Sequence, residues 1–544
     1  MKKIAFKNFR RFQEFPTLDL GNISIMVGRN NSGKSTMVKA ILLVLDYLQN
    51  QQYNEFSFTN KSLEDANIVT FGRAKNNKSK SNEIVFDIEL DGFYISIFIY
   101  GDEQDTYASV SKLLISDDNS KIYFEINYNQ KIISISKKNA PVIETNIDSY
   151  LTLNNELKDL NSEIQKEDFK KTTPDGIRIL DRYNNLLNKL NDFNQIFEKN
   201  KGNESYLFEK QYPIKLDANI NKTEETVLQE FISDFIYIND TEIKKIKVIR
   251  NNYVHKTGDY ENIEENLETI INNDITLDDN SSSPLIQQLE EKIQELVDID
   301  NYKSELKKSI NKAVQIINET QIYYLGANPS KQSALFSIRD KQNNLAQAIH
   351  EFKQFKIYPE HDEYFFVKKW MKEFEVGEDF HIEFYAGEAY EFYVIDKDGD
   401  KAHLADKGMG SLQIMMLILK VATIMRKHKG TINNVTIIVE EPELNLHPEF
   451  QGKLTDFFHD VNKDHQISFI IETHSEYLIR KSQNIVVKES YTDEKGLNPN
   501  PFKVFYFDLE NGPYQMKYRN DGRFTNEFGT GFFDVNTNLI FDLP

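Results

Sequence analysis

The sequence predicts an α/β protein whose two halves are separated by a long helical insertion. A glycine-rich loop of the form G-x-x-x-x-G-K-[ST] lies between a strand run and a helix run near the start. Strand-forming runs stop at about residue 145 and resume at about 320. The stretch between is polar, with apolar residues every three or four positions.

The chain of 544 residues exceeds one ordinary domain, and its 40% apolar content suffices for a large core plus an elaboration. A net charge of −20 means that any nucleic-acid contact would need a local basic surface. With Cys 0, disulfides, thiolate metal sites and thiol nucleophiles are excluded together. The longest apolar run, Ile414 to Met425, is interrupted by Lys420 and is too short to span a membrane. The opening residues lack the apolar stretch of a signal peptide, so the expected location is cytoplasmic, with no membrane partner.

In chain order, strand runs are expected at Ile4–Phe12, Ile23–Val27, Ile84–Leu90 and Phe93–Tyr100. Helical stripes follow through Leu153, Leu157, Leu160 and Ile164, and through Leu180, Tyr183, Leu187 and Leu190. Two more run through Ile286, Leu289, Ile293 and Leu296, and through Leu306, Ile310, Ala313 and Ile317. These fit either a projecting coiled-coil arm or a helical subdomain packed on the core.

The loop Gly28-Arg29-Asn30-Asn31-Ser32-Gly33-Lys34-Ser35 follows the strand Ile23–Val27 and leads into a helix near Thr36. Its glycines let backbone N–H groups wrap phosphates, Lys34 reaches the β and γ phosphates, and Ser35 offers a hydroxyl to Mg²⁺. Far downstream, the apolar run Thr436–Val439 ends in Glu440-Glu441-Pro442. Beside the phosphate loop, Glu440 would stand near the metal and Glu441 near an attacking water. Ile467–Ile471 then runs into Glu472-Thr473-His474-Ser475, where His474 could bond the γ-phosphate. A fourth segment, Asp406-Lys407-Gly408-Met409-Gly410-Ser411-Leu412-Gln413, precedes the apolar helix. It is either a second phosphate-facing helix N-terminus, serving another subunit, or a tight strand-to-helix turn.

Taken in order, these segments resemble the ABC-type ATPases of the SMC-like and OLD-like branch, over about residues 1–145 and 321–544, with 146–320 where such proteins carry arms. The resemblance implies an ATPase head using ATP and Mg²⁺. The phosphate loop through Thr36 and Arg10 or Arg11 of Asn8-Phe9-Arg10-Arg11-Phe12 would bind nucleotide, with Gly408, Gly410, Ser411 and Gln413 as the signature loop. Lys34, Glu441 and His474 would be catalytic, and Ser35 and Glu440 would hold the metal. The family's acid pair is usually Asp-Glu, whereas this chain has Glu440-Glu441. Glu443–Pro448 resembles the loop where subunits meet, and Gln49, Gln51 and Gln52 are candidates for a glutamine-containing loop. Phe366–Met371, Glu441–Pro448 and Phe528–Asp534 look like bacterial anti-phage ATPases of the Septu PtuA type.

That resemblance implies a homodimer or higher oligomer controlling a separate effector, a nuclease or toxin. A DNA-clamping repair or chromosome-maintenance ATPase and a transporter subunit are the competing readings. OLD nucleases carry a Toprim domain after the ATPase, and the stretch after Ser475 is too short for one. Asp508 and Glu510 read as a turn after an edge strand.

Overall fold

The computed structural model describes residues 1–50, 54–60, 68–117, 122–127, 132–137, 208–213, 311–327, 335–430, 434–493 and 498–529, with isolated positions between them. It divides into two compact units, Met1–Ile115 with Gln315–Pro544, and Ser116–Val314. Composition alone had placed the changes at about 145 and 320.

The first unit opens with β1 (Lys3–Phe9), β2 (Phe12–Asp19) and β3 (Ile23–Gly28), followed by helix α1 (Lys34–Asn50). The run expected as one strand over Ile4–Phe12 is two, because Asn8 (φ 56°) and Arg10 (φ 50°) take left-handed backbone and turn the chain back on itself. The Arg10 N–H donates to Ala74 O at 2.6 Å, pinning that turn to α2 (Phe71–Ala74). Strands β4 (Glu55–Ser57), β5 (Glu83–Leu90), β6 (Phe93–Tyr100) and β7 (Tyr107–Asp117) complete this part. They form a sheet in the order β7-β6-β5-β1-β2, with β4 on β7. Its inner face is aromatic: Phe6 stacks on Phe15 at 4.1 Å, and Phe56 on Phe86 at 5.7 Å.

The second unit contains β8 (Ile122–Asn127), β9 (Ile132–Lys137) and β10 (Phe208–Pro213), with β9 antiparallel to both others. Of the helical stripes, Leu153, Leu157, Leu160, Leu187, Leu190, Ile286 to Leu296, Leu306 and Ile310 lie outside the described residues. Ile164, Leu180, Tyr183 and residues 311–319 are helical, and Ala313 and Ile317 are buried.

The first unit resumes with β11 (Thr320–Leu325), β12 (Phe336–Ser337), α3 (Asn344–Gln354), α4 (Asp362–Glu373), β13 (Asp379–Tyr385), β14 (Ala389–Ile395) and β15 (Lys401–His403). There follow α5 (Met409–Lys427), β16 (Asn434–Glu440), α6 (Pro448–His465), β17 (Ser468–Glu472), α7 (Glu476–Lys488), β18 (Phe502–Asp508) and β19 (Gly512–Met516). A second sheet runs β11-β16-β17-β3-β18-β19, parallel except for β19. Every residue of β3 is buried, as a strand covered on both faces requires. Ile23, Ile25 and Val27 face one large core that includes α3 to α7, and alternation turns Ser24 and Met26 to the other face.

Helix α5 is long and apolar enough to cross a membrane, but Leu412 to Leu419 are all buried within the protein. A small sheet, β12-β14-β13 with β15 on β14, packs beside it. The β18 strand is internal, between β3 and β19, which corrects the edge-strand expectation. The turn reading of Asp508 is what is found: its Oδ1 accepts the N–H groups of Glu510 at 2.9 Å and Asn511 at 2.8 Å.

Candidate functional site

Parallel strands β16, β17, β3 and β18 all end on the same side, where open α/β sheets bind ligands. The phosphate loop leaves β3 there. Gly28 (φ 147°) and Gly33 (φ 108°) hold backbone that a side chain would strain. A Cβ on Gly28 would stand 2.5 Å from Phe507 O, and one on Gly33 2.4 Å from the Phe12 ring. Arg29, Asn30 and Asn31 form the exposed rim, whereas Ser32 and Thr36 are buried. The Ser32 Oγ is buried without a hydrogen-bond partner.

Lys34 is only 3% exposed, and its Nζ donates to Gly28 O at 3.0 Å and Arg29 O at 3.2 Å. Burial lowers its pKa, opposed by Glu472, Glu441, Glu443 and Glu440. Ser35 Oγ donates to Glu472, 3.0 Å from each carboxylate oxygen, and Lys34 Nζ lies 3.9 Å from the same carboxylate. Burial, then the Glu440 charge, pushes the Glu472 carboxyl up to about 7, against Lys34 and the Ser35 hydrogen bond. The sequence reading assigned Glu472 no role.

Glu440 closes β16, but that strand is not beside the phosphate-loop strand: β17 lies between them. Glu440 is therefore cross-strand from Glu472 rather than from β3. Its carboxyl is pushed up chiefly by burial and held down by hydrogen bonds from the Tyr324 hydroxyl and Ala327 N–H and by Lys39. Glu441 takes left-handed backbone (φ 46°), and its N–H donates to Glu472 O at 2.7 Å. Its Oε1 lies 3.9 Å from Nε2 of His474. Burial lowers the His474 pKa, as does Lys34, with Glu441 opposing. The His474 N–H donates to Glu443 at 2.7 Å, and burial pushes the Glu443 carboxyl up. Ser475 caps α7 by accepting the Leu478 N–H, and its hydroxyl donates to Gln451 of α6 at 2.6 Å.

Arg10 is half-buried, its pKa lowered by burial and then by Arg73; Arg10 and Arg73 in turn help to depress Lys39, which burial lowers most. Arg11 donates to Leu509 O at 3.0 Å. Gln49 sits at the far end of α1, about 20 Å from Lys34. There it donates to Ile317 O at 2.8 Å and Thr320 O at 2.6 Å, at the start of β11 rather than at the strand ends near the phosphate loop. Gln51 and Gln52 lie outside the described residues.

The segment after Asp406 is shorter as a loop than expected: Met409, Gly410 and Ser411 already belong to α5, with Gly408 as its N-cap and no side-chain cap. A Cβ on Gly410 would stand 2.6 Å from Asn445 O, so this helix end lies directly against the loop after the acid pair. Gln413 is buried, and its Oε1 has no hydrogen-bond partner.

Mg²⁺ takes hard oxygen ligands and is held by one or two carboxylates plus phosphate and water. The Ser35 hydroxyl, the crowded carboxylates of Glu472 and Glu440, and the orphaned Ser32 hydroxyl fit a metal–phosphate ligand. No group of three or more His, Cys, Asp or Glu converges as a metal cage among the described residues.

A phosphate loop on a parallel sheet, with acids at the neighbouring strand ends, defines a nucleotide-binding α/β domain. Residues 1–479 match the AAA ATPase domain family, and the chain belongs to it. None of the curated proteins compared matches the sequence. Similar solved structures include the Smc head domain with an extended coiled coil from Pyrococcus furiosus, bound to the C-terminal domain of ScpA. It is 10% identical, covering 96% of this chain and 94% of that one, at a TM-score of 0.31. The Smc head domain with a coiled coil and joint from Pyrococcus yayanosii is 11% identical, covering 96% and 97%, at a TM-score of 0.33.

Proposed function

We propose that this protein is an ATP-hydrolysing switch of the SMC-like, OLD-like kind, in which two copies close head to tail around ATP and Mg²⁺. The observation that carries the reading is the convergence of Lys34, Ser35, Glu440, Glu441, Glu472 and His474 at the ends of adjacent parallel strands. Lys34 and the loop amides bind the β and γ phosphates, with Arg10 nearby. Ser35 would hold Mg²⁺, with Glu440 acting on it directly or through water, and the ion would supply positive charge against the phosphate. Glu441 accepts the proton of the attacking water, and His474 senses the γ-phosphate. The N-terminus of α5, with Gly408 exposed and Met409 to Ser411 partly buried, serves the nucleotide of the opposing copy; Gln413, buried in the core, supports that end. Loss of the γ-phosphate removes what both faces share, so hydrolysis reopens the pair.

The biological setting that best fits is cytoplasmic anti-phage defence of the Septu PtuA type, in which the switch controls a separate nuclease or toxin. Support comes from the resemblance of Glu441–Pro448 and Phe366–Met371. Residues 530–534 of the third such stretch lie outside the described residues.

The test is the solution mass of wild type and Glu441→Gln with and without ATP and Mg²⁺, alongside phosphate release. The variant should lose turnover by about 10²–10⁴-fold and accumulate in the closed, larger assembly. Wild-type turnover in the variant, with no change of mass in either protein, would sink the mechanism. The DNA-clamp reading predicts salt-dependent duplex binding, with affinity falling steeply as salt rises.

A further inference from the structure

The residue that stands on Ser35 is not the acid that the motif pattern would assign to the metal. Glu472 ends β17, paired with Met26 of the phosphate-loop strand on one side and with Glu440 on the other. Both of its carboxylate oxygens lie 3.0 Å from Ser35 Oγ. It is 6% exposed, so water does little to solvate it. The nearest ammonium, Lys34 Nζ, is 3.9 Å away and donates to two backbone carbonyls instead. A buried carboxylate whose fixed partner is one neutral hydroxyl, with a second carboxylate on the adjoining strand, is costly unless a cation joins it. Glu440 is differently placed: its carboxylate accepts hydrogen bonds from Tyr324 and Ala327, on and just after β11, on the side away from β3. The buried, unpartnered Ser32 Oγ inside the same loop is an independent sign that a polar ligand completes this corner.

We propose that Glu472 is the carboxylate that holds the nucleotide-bound divalent cation together with Ser35, while Glu440 acts only through water. This rests on the ATP-binding reading above. It explains how the chain can carry Glu at position 440, where the family it resembles usually has Asp: the direct role lies one strand closer to the loop.

The probe is Mn²⁺ in place of Mg²⁺, titrated by electron paramagnetic resonance onto the full chain with a non-hydrolysable ATP analogue. Wild type is compared with Glu472→Gln, Glu472→Asp and Glu440→Gln. Nucleotide affinity is measured separately in the presence of a chelator, which also reports that each variant is folded. Glu472→Gln should bind Mn²⁺ at least about tenfold more weakly, and Glu440→Gln less than that. Metal-free nucleotide affinity of Glu472→Gln should hold or rise, because a negative charge beside Lys34 is gone. If Glu472→Gln does not fold, Glu472→Asp, which keeps the charge but shortens the reach, should show the Mn²⁺ loss alone. Unchanged Mn²⁺ affinity in the Glu472 variants, or a larger loss in Glu440→Gln, overturns the assignment while leaving ATP binding intact. A wild type that binds no nucleotide overturns both readings.

Discussion

The phosphate-loop end of the parallel sheet and the N-terminus of α5 are both glycine-rich strand-to-helix passages, yet they are built oppositely. At the phosphate loop several polar side chains are tied down within the chain: Lys34 to two carbonyls, Ser35 to Glu472, Glu443 to the His474 backbone N–H, Ser475 to Gln451. At α5 the cap is Gly408, with no side-chain bond and open space where a Cβ would stand. On the function proposed above, one is a half-site assembled in advance. The other is a bare helix end held in place by close packing against Asn445, the arrangement expected of a surface that finds its ligand on another molecule.

The largest effect should come from Lys34→Ala, which removes a buried ammonium aimed into the loop. Its loss should weaken nucleotide affinity by about 10–100-fold, the worth of one or two charge-assisted hydrogen bonds, in a fluorescent-nucleotide titration. Gly410→Ala sharpens the contrast. The added methyl meets Asn445 O, and displacing that loop at about 1–3 kcal/mol should cut ATP-dependent assembly by roughly tenfold or more. Binding of ATP to the dilute single chain should stay within about twofold. If Gly410→Ala weakens that binding as Lys34→Ala does, the two ends serve one site within the chain and the contrast collapses.

These two regions were also unequally legible in the sequence. The phosphate loop is contiguous, so its chemistry could be read from eight residues and the strand before them. Glu441 and His474 were found because each ends an apolar run whose order along the chain matches adjacent parallel strands. Glu472 was in plain view and went unassigned. Its partner Ser35 is 437 positions away, and only the insertion of β17 between β16 and β3 brings them together. Periodicity reports that a strand exists, not which strand lies beside it. The same limit hid the approach of Gly410 to Asn445. At the end of β1 the failure was local instead: Asn8 is a residue type that tolerates left-handed backbone and was a signal passed over, whereas nothing in the Arg10 side chain announces the left-handed turn that splits the run.

A smaller effect is expected from Ser475→Ala. It removes the cap of α7 and the tie to α6, costing about 1 kcal/mol of stability and roughly 2–4 °C of melting temperature. Because Gln451 also holds Leu446 O at 3.0 Å, the variant asks whether the wiring behind His474 reaches the loop that Gly410 packs on. A loss of assembly matching that of Gly410→Ala would show that the two regions are coupled. A loss of stability alone keeps them separate.

The smallest effect lies at the other end of α5, where His428 caps the helix and its Nε2 is 2.8 Å from the Tyr323 hydroxyl. Burial, with Lys427 adding to it, lowers the His428 pKa from its usual value near 6.5. The unfolded chain then takes up the proton before the folded one does. Stability from neutral His428 is present above about pH 6.5 and is lost as pH falls below it toward the depressed folded value. Wild type should therefore lose more melting temperature than His428→Gln between pH 7.5 and 5.5, by no more than about 3 °C. Assembly driven by ATP at pH 7.5 should be the same in both, since this end of α5 faces Tyr323 and not the Asn445 loop. A pH-independent difference between the two proteins would mean that the hydrogen bond, not the proton, is what the helix end depends on.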